Sequence, residues 1–187
     1  MKDVEPSQVW TVGHSTRTYE AFVALLKHHG IQAIADVRRF PGSRRLPQYM
    51  SGQLEASLDA HGIAYVWIEE LGGRRRVPAD AAPSAWRNAS FRGYAEHLKS
   101  EDFAVGLSEL LSMATRQPTA MMCAELLWWR CHRSMVADVL KFQGIDVLHI
   151  QDEQRVVSHP FTSPARQVDG QLTYDDRIGA PLKSGEG

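Results

Sequence analysis

The sequence predicts an α/β fold: a mostly parallel sheet of about five strands with helices packed on its faces. Three observations carry this expectation. Short apolar runs of strand length alternate with longer stretches of helical periodicity. A helix-like stretch passes through Gly and Ile into an apolar run at His29-Gly30-Ile31, at His61-Gly62-Ile63 and again at Gln143-Gly144-Ile145. Glycine accepts the left-handed conformation that ends a helix, and the next apolar residue folds back on the last turn. The third observation is that distinctive polar residues follow the apolar runs, at the edge where parallel α/β sheets bind ligands.

The elements follow in order. Val9 to Val12 reads as the first strand, and Thr18 can cap a helix with Phe22, Leu25 and Leu26 on one face. A second strand spans Ile31 to Val37, and Arg38 to Gln48 is irregular, with Pro41, Gly42 and Pro47. Ser51 caps a shorter helix carrying Leu54 and Leu58, before a strand from Ile63 to Ile68. Leu71 to Ala89 reads as irregular. Ser100, followed by Glu101 and Asp102, starts a helix with Phe103, Leu107, Leu110, Leu111 and Ala114 in helical register. Thr119 to Cys123 is a strand, Met135, Val136, Val139 and Leu140 mark a last helix, and Ile145 to Ile150 is a last strand. Residues 1–150 are expected to form a single α/β domain. Residues 151–187 form a polar, partly ordered extension whose last residues, LKSGEG, are disordered. A short helix is expected at Ser163-Pro164, because proline suits the first helical position. Strand order is not readable from one sequence.

Composition narrows the function classes. The 187 residues carry 43% apolar and 23% charged side chains, as an ordinary globular chain does. A net charge of -1 supplies no global attraction for nucleic acid or membrane. Two cysteines make no disulfide framework and point to a reducing compartment. The N-terminus lacks the apolar core of a signal peptide, and no apolar stretch approaches the ~20 residues a spanning helix needs. The expectation is a cytoplasmic protein without membrane partners.

The polar motifs mark a site. Gly13-His14-Ser15 ends the first strand, Asp36-Val37-Arg38 the second and Cys123-Ala124-Glu125 the fourth, while the third runs into Glu69, Glu70 and Gly72-Gly73-Arg74. In a parallel sheet these groups meet on one rim. Cys131-His132-Arg133 opens the last helix, where backbone N–H groups and the helix dipole stabilise a thiolate. His132, Arg130 and Arg133 would lower its pKa further. The competing reading makes Cys131 a buried small hydrophobe and Arg133 an ion-pair partner of Glu125. Cys123, ending an apolar run, reads as core or as nucleophile. Metal ligation is a third alternative: Cys123, Cys131, His132 and His14, with Glu125 and Asp36, are donors that zinc or iron accepts, although Cys-x7-Cys-His is no zinc-finger spacing.

Basic loops add anion-binding capacity. Arg38, Arg39, Arg44 and Arg45 fall within eight residues, and Arg74-Arg75-Arg76 follows. Arginine forks suit phosphate or carboxylate. With Phe40, Tyr49, Trp128 and Trp129 they could serve nucleic acid through phosphate contact and base stacking. The plain alternative is a solvated loop paired with Asp36, Glu69 and Glu70. Leu126-Leu127-Trp128-Trp129 is expected to be buried.

The segments TVGHSTRTYEAF, ADVRRFPGSRRLPQY, ELGGRR, FRGYAEHL and CAELLWWRCHR resemble, in this order, the bacterial and archaeal family described as domain of unknown function 488. The resemblance covers about Val9 to Ile150, with a weaker echo in Ser158-His159-Pro160 and Tyr174. It implies a recurring set of Gly13-His14-Ser15, Asp36-Val37-Arg38, Cys123-Ala124-Glu125 and Cys131-His132-Arg133, and no established activity. The layering resembles flavodoxin- or rhodanese-like domains, the latter also at the Asp36-Val37-Arg38 strand end.

Three functions follow. The first is a thiol-dependent enzyme, transferase- or hydrolase-like, acting on an anionic, phosphate- or nucleotide-like substrate. In it Cys131 is nucleophile or redox thiol, His132 its base, Glu125, Asp36 and His14 orient groups or move protons, and Ser15, Arg38, Arg44, Arg45, Arg74, Arg130 and Arg133 hold the anion. The second is a nucleic-acid-binding protein using the arginine loops. The third is a Cys/His metal protein; no cofactor is required by the sequence.

Overall fold

The structure, a computed structural model, describes residues 6–42 and 45–182. The expectations for Arg44 and for all but the first of the final LKSGEG residues lie outside the described residues.

A six-stranded sheet forms the centre, in the order β3-β2-β4-β1-β5-β6. Its strands are β1 (Gln8–Gly13), β2 (Ala33–Asp36), β3 (Ala64–Trp67), β4 (Thr119–Cys123), β5 (Asp146–Ile150) and β6 (Val156–Ser158). The first five pair in parallel, and β6 closes one edge antiparallel to β5. β2 and β4 are buried along their whole length, the mark of strands covered on both faces.

Five helices cover the sheet: α1 (Tyr19–His28), α2 (Ser51–Asp59), α3 (Ala89–His97), α4 (Glu101–Arg116) and α5 (Arg133–Phe142). Phe22, Leu25 and Leu26 of α1 and Leu54 and Leu58 of α2 pack into one core with Ile34, Ala120 and Met122. Tyr94 of α3, Phe103 and Leu110 of α4, and Met135, Val136 and Leu140 of α5 form the other, against Ala35, Met121 and Val147. Strand residues alternate between the two cores because successive side chains leave opposite faces of a sheet.

Local signals act where the sequence placed them, with exceptions. Thr18 accepts from the Ala21 amide and Ser100 from the Phe103 amide, capping α1 and α4. Gly30, Gly62 and Gly144, closing α1, α2 and α5, have φ of 66°, 70° and 86°. Ser51, however, is the first residue of α2 rather than its cap; Met50 holds that position without a side-chain bond. α3 lies just past a stretch that reads as irregular; its apolar face is only three buried residues, Gly93, Tyr94 and Ala95. At Ser163-Pro164 the chain makes a turn, not a helix, and enters a small antiparallel sheet of β7 (Arg166–Val168), β8 (Gln171–Thr173) and β9 (Ala180–Pro181).

Residues 151–182 are woven into the body. β6 extends the sheet, His159 and Tyr174 are buried, and both bond to Asp138 of α5. No helix among the described residues is long and apolar enough to cross a membrane.

The connections prepare a crevice. The chain leaves β1 for α1 on one face and leaves β4 for α5 on the other. β1 and β4 are neighbours, with Gly13 opposite Cys123. Where neighbouring strands send their chains to opposite faces, the loops part and leave a ligand crevice at the carboxyl ends.

Candidate functional site

A cleft of about 510 Å³ opens at that point, lined among others by His14, Arg38, Arg39, Gly73, Arg74, Cys123, Glu125, Arg130, Cys131 and His132. Segments from β1, β2, β3 and β4 and from the start of α5 meet there. Asp36 lies behind Arg38, and Arg133 lies behind Cys131. Ser15 and Arg45 do not line the cleft.

The floor is built by β1 and β4 continuing their pairing past the last strand residue. The His14 amide donates to the Cys123 carbonyl at 2.9 Å and the Ser15 amide to the Ala124 carbonyl at 3.0 Å. Gly13 is required by contact: a Cβ there would lie 2.0 Å from the Glu125 carbonyl oxygen. The backbone of residues 125–126 therefore folds directly over the end of β1. Ser15 adopts φ of 50°, which few non-glycine residues do, and its backbone N–H and carbonyl serve this turn. Its carbonyl accepts the Nδ1–H of His14 at 2.8 Å.

That bond fixes the His14 tautomer. Its Nε2 is left as an acceptor and faces Arg38 Nη1 at 3.3 Å. The ring stacks on Tyr49 at 3.9 Å. Burial, reinforced by the nearby Arg38 charge, lowers the His14 pKa to about 4, so the ring is neutral at pH 7. Arg38 is itself gripped by Asp36. Its Nε donates to Oδ1 at 2.9 Å and its Nη2 to Oδ2 at 2.5 Å, and Tyr65 also donates to Oδ2 at 2.6 Å. Asp36 thus serves as the counter-ion that holds a guanidinium at the cleft.

Cys123, Cys131 and His132 form the centre. The two sulfurs and a His132 nitrogen lie within 4.8 Å of one another, and Cys131 Sγ is 3.6 Å from His132 Nδ1. His132 Nε2–H donates to the Val37 carbonyl at 2.9 Å, so Nδ1 presents its lone pair to the sulfur. Gly73 leaves room for this ring: a Cβ there would lie 2.7 Å from Nδ1. Both cysteines are free and buried. Burial opposes a charged Cys131, but the hydrogen bond from Cys123 and the Arg133 charge outweigh it and hold the thiol well below its ordinary range. Cys123 moves the other way, first because its proton is the one given to Cys131 and then because it is buried. The two shifts have one cause in common, the Cys123 thiol donating to the Cys131 sulfur.

Arg133 is only 1% exposed. Its Nε donates to Cys131 Sγ at 3.3 Å, Nη1 to Thr11 Oγ1 at 3.5 Å, and Nη2 to the carbonyl of Glu125. The Arg133–Glu125 ion pair of the competing reading does not form: the contact is with the backbone, and the Glu125 side chain is exposed at the cleft. α5 starts at Arg133 and Cys131 precedes it in extended conformation, so the sulfur takes its support from side chains beside the helix start.

Behind Arg133 runs a buried chain of polar groups to which the sequence assigned no role, although His159 and Tyr174 fall in the weaker echo of the family resemblance. Thr11 Oγ1 meets His149 Nδ1 at 2.7 Å, His149 Nε2 meets His159 Nδ1 at 2.9 Å, and His159 Nε2 meets Asp138 Oδ1 at 2.9 Å. Asp138 also accepts from the Thr162 hydroxyl and from Tyr174 at 2.8 Å. Since Arg133 can only donate and the carboxylate only accept, the chain has one consistent direction: Thr11 donates to His149, His149 to His159 and His159 to Asp138. Trp128 stacks on His149 at 4.2 Å. The available signal was a polar residue interrupting an apolar pattern: Asp138 in α5 and His149 in β5.

The remaining candidates divide. Arg39 pairs with Glu69 at 3.2 Å. Arg74 and Arg130 are exposed at the cleft and make no ion pair with the described residues. Arg45 is exposed and does not line the cleft. None of the four apolar residues expected to be buried is fully so: Leu126 and Trp129 are 42% and 47% exposed, and Leu127 and Trp128 are half-buried.

The family model described as "Domain of unknown function DUF488" matches residues 18–140. The chain belongs to the DUF488 family. The match holds the Asp36-Val37-Arg38, Cys123-Ala124-Glu125 and Cys131-His132-Arg133 motifs; β1, with Gly13-His14-Ser15, precedes it. No curated protein and no solved structure matched the chain.

Proposed function

We propose that this DUF488 protein is a cytoplasmic enzyme that binds an anionic, phosphate- or nucleotide-like substrate in the cleft and acts on it with the anionic sulfur of Cys131. One observation carries the reading: the buried guanidinium of Arg133 has no carboxylate within ion-pair reach among the described residues, and its Nε bonds to Cys131. A buried charge requires compensation, and the sulfur is the group that can supply it. A thiolate is the nucleophilic form of cysteine.

The roles follow from position. Arg38, Arg74 and Arg130 border the cleft and provide cationic forks for the anion. Asp36 and His14 fix Arg38. The exposed carboxylate of Glu125 is the proton-transfer group at the rim. A reducing compartment keeps both thiols free.

The test is alkylation by iodoacetamide at neutral pH, with the labelled residue identified by peptide mass analysis. Cys131 is expected to react faster than a free thiol, and inorganic phosphate or pyrophosphate in the cleft is expected to slow it. Labelling of Cys131 only after unfolding would sink the proposal.

A further inference from the structure

We propose that Cys123 Sγ, Cys131 Sγ and His132 Nδ1 form a three-ligand centre for a thiophilic divalent metal, zinc or iron(II), with a fourth position open to the arginine-lined cleft. The inference rests on the reading of Cys131 as an anionic sulfur and names the cofactor class of that site.

Geometry is the first support. All three donor atoms lie within 4.8 Å of one another. Two ligands on tetrahedral zinc, with bonds of ~2.3 Å to sulfur and ~2.05 Å to nitrogen, stand about 3.6 Å apart. Cys131 Sγ and His132 Nδ1 are 3.6 Å apart. The donor set of two thiolates and one imidazole is the soft combination that selects zinc or iron over magnesium or calcium.

The surroundings of each ligand are a second, independent support. A ligating histidine generally donates its other ring N–H to a carbonyl or carboxylate, which fixes the tautomer and the ring's aim. His132 does this through Nε2 to Val37, leaving Nδ1 as the bare donor. Arg133 Nε hydrogen-bonds the Cys131 sulfur from the side away from the cleft. Gly73 contributes by having no side chain: a Cβ would sit 2.7 Å from Nδ1 and 3.0 Å from Cγ, against the flat face of the ring, and would push the imidazole off its aim at the sulfurs.

Charge brings the bound anion into the same picture. On the reading above, the sulfur pair holds one proton and its single negative charge balances Arg133. A divalent cation that displaces this proton ionises both thiols and raises the net charge of the site by one, and an anion at the fourth position offsets that excess beside the buried Arg133. Because both sulfurs and the histidine border the same cleft, the fourth position faces the space where the arginines would hold an anion. Three protein ligands and an open position are the arrangement of a catalytic rather than a structural zinc site. An oxygen of a bound anion, or water, would complete the shell.

The experiment uses the full chain, purified without a histidine tag, reduced and stripped with a chelator, then titrated with Co²⁺ in the absence of oxygen. Thiolate-to-cobalt charge-transfer absorption and visible bands of tetrahedral intensity are expected to saturate at one metal per chain. Cys123→Ser and His132→Ala, each checked for folding by circular dichroism, are expected to weaken binding at least tenfold. Inorganic phosphate is expected to perturb the visible bands through the fourth position. The inference is overturned if no saturable charge-transfer band appears, or if it persists unchanged in Cys123→Ser. Fast alkylation of Cys131 in a stripped protein that binds no Co²⁺ would reject the metal alone. Slow alkylation of that stripped protein would remove the anionic sulfur and the metal together.

Discussion

At the scale of single residues, the site is a set of buried polar groups that each depend on one neighbour. His14 is neutral because burial forbids its charge, and His149 for the same reason has its pKa lowered to about 2, with His159 and Arg133 adding to the effect. Both would protonate near pH 6.5 in the unfolded chain. Between that value and the lower folded one the unfolded chain binds more protons, so stability falls as pH drops through this window. For His14 the window runs from 6.5 down to about 4. Each histidine then costs about 1–2 kcal/mol between pH 7 and pH 5. Urea midpoints at pH 7 and 5 should show this decline, and His14→Gln should flatten it. A midpoint that does not move between the two pH values would refute the assignment of buried neutral histidines. These residues also show what the sequence exposes and hides. His14, Asp36 and Arg38 announced themselves at strand ends. His149, His159 and Asp138 did not, because a polar side chain inside an apolar run is meaningful only once its distant partner is known.

At the scale of elements, the site depends on how closely two strand ends and one helix start approach. The order of strands and helices was legible because periodicity, caps and glycines act locally. What was hidden was strand order, since pairing β1 with both β4 and β5 joins residues far apart in sequence. The same distance hid the crossing of residues 125–126 over Gly13. Gly13→Ala tests it, because the added methyl would lie 2.0 Å from a backbone oxygen rather than a yielding side chain. The expected loss is about 3 kcal/mol, at the upper end of overpacking costs. The thermal midpoint measures it, and a variant as stable as the parent would show that the loop does not sit on the strand. Ser51 and Ser163-Pro164 mark the limit of local signals. A residue suited to a cap or a first turn takes that role only when the flanking backbone arrives at the right angle.

At the scale of the whole molecule, net charge is a poor guide and local placement a good one. A chain with a formal charge of -1 still gathers Arg38, Arg39, Arg74 and Arg130 around one cleft. The polar C-terminal segment reads by composition as an appendage, yet it supplies β6 and the His159, Thr162 and Tyr174 partners of Asp138. A chain ending at residue 150 would leave that buried carboxylate without these partners, a cost of about 3–5 kcal/mol from the broken charge contacts alone. It is expected to lose cooperative unfolding in circular dichroism, and a truncated chain with a sharp transition would show that the segment is dispensable.

The most direct measurement of the central claim is the ultraviolet thiolate absorbance of the reduced, metal-free protein as a function of pH. One thiolate equivalent per chain should persist well below pH 8 and vanish in Cys131→Ser. Absorbance that appears only as the pH passes about 8.5, the ordinary thiol value, would contradict the account: Arg133 would then be buried beside a neutral sulfur, and the proposed reactive group would not exist.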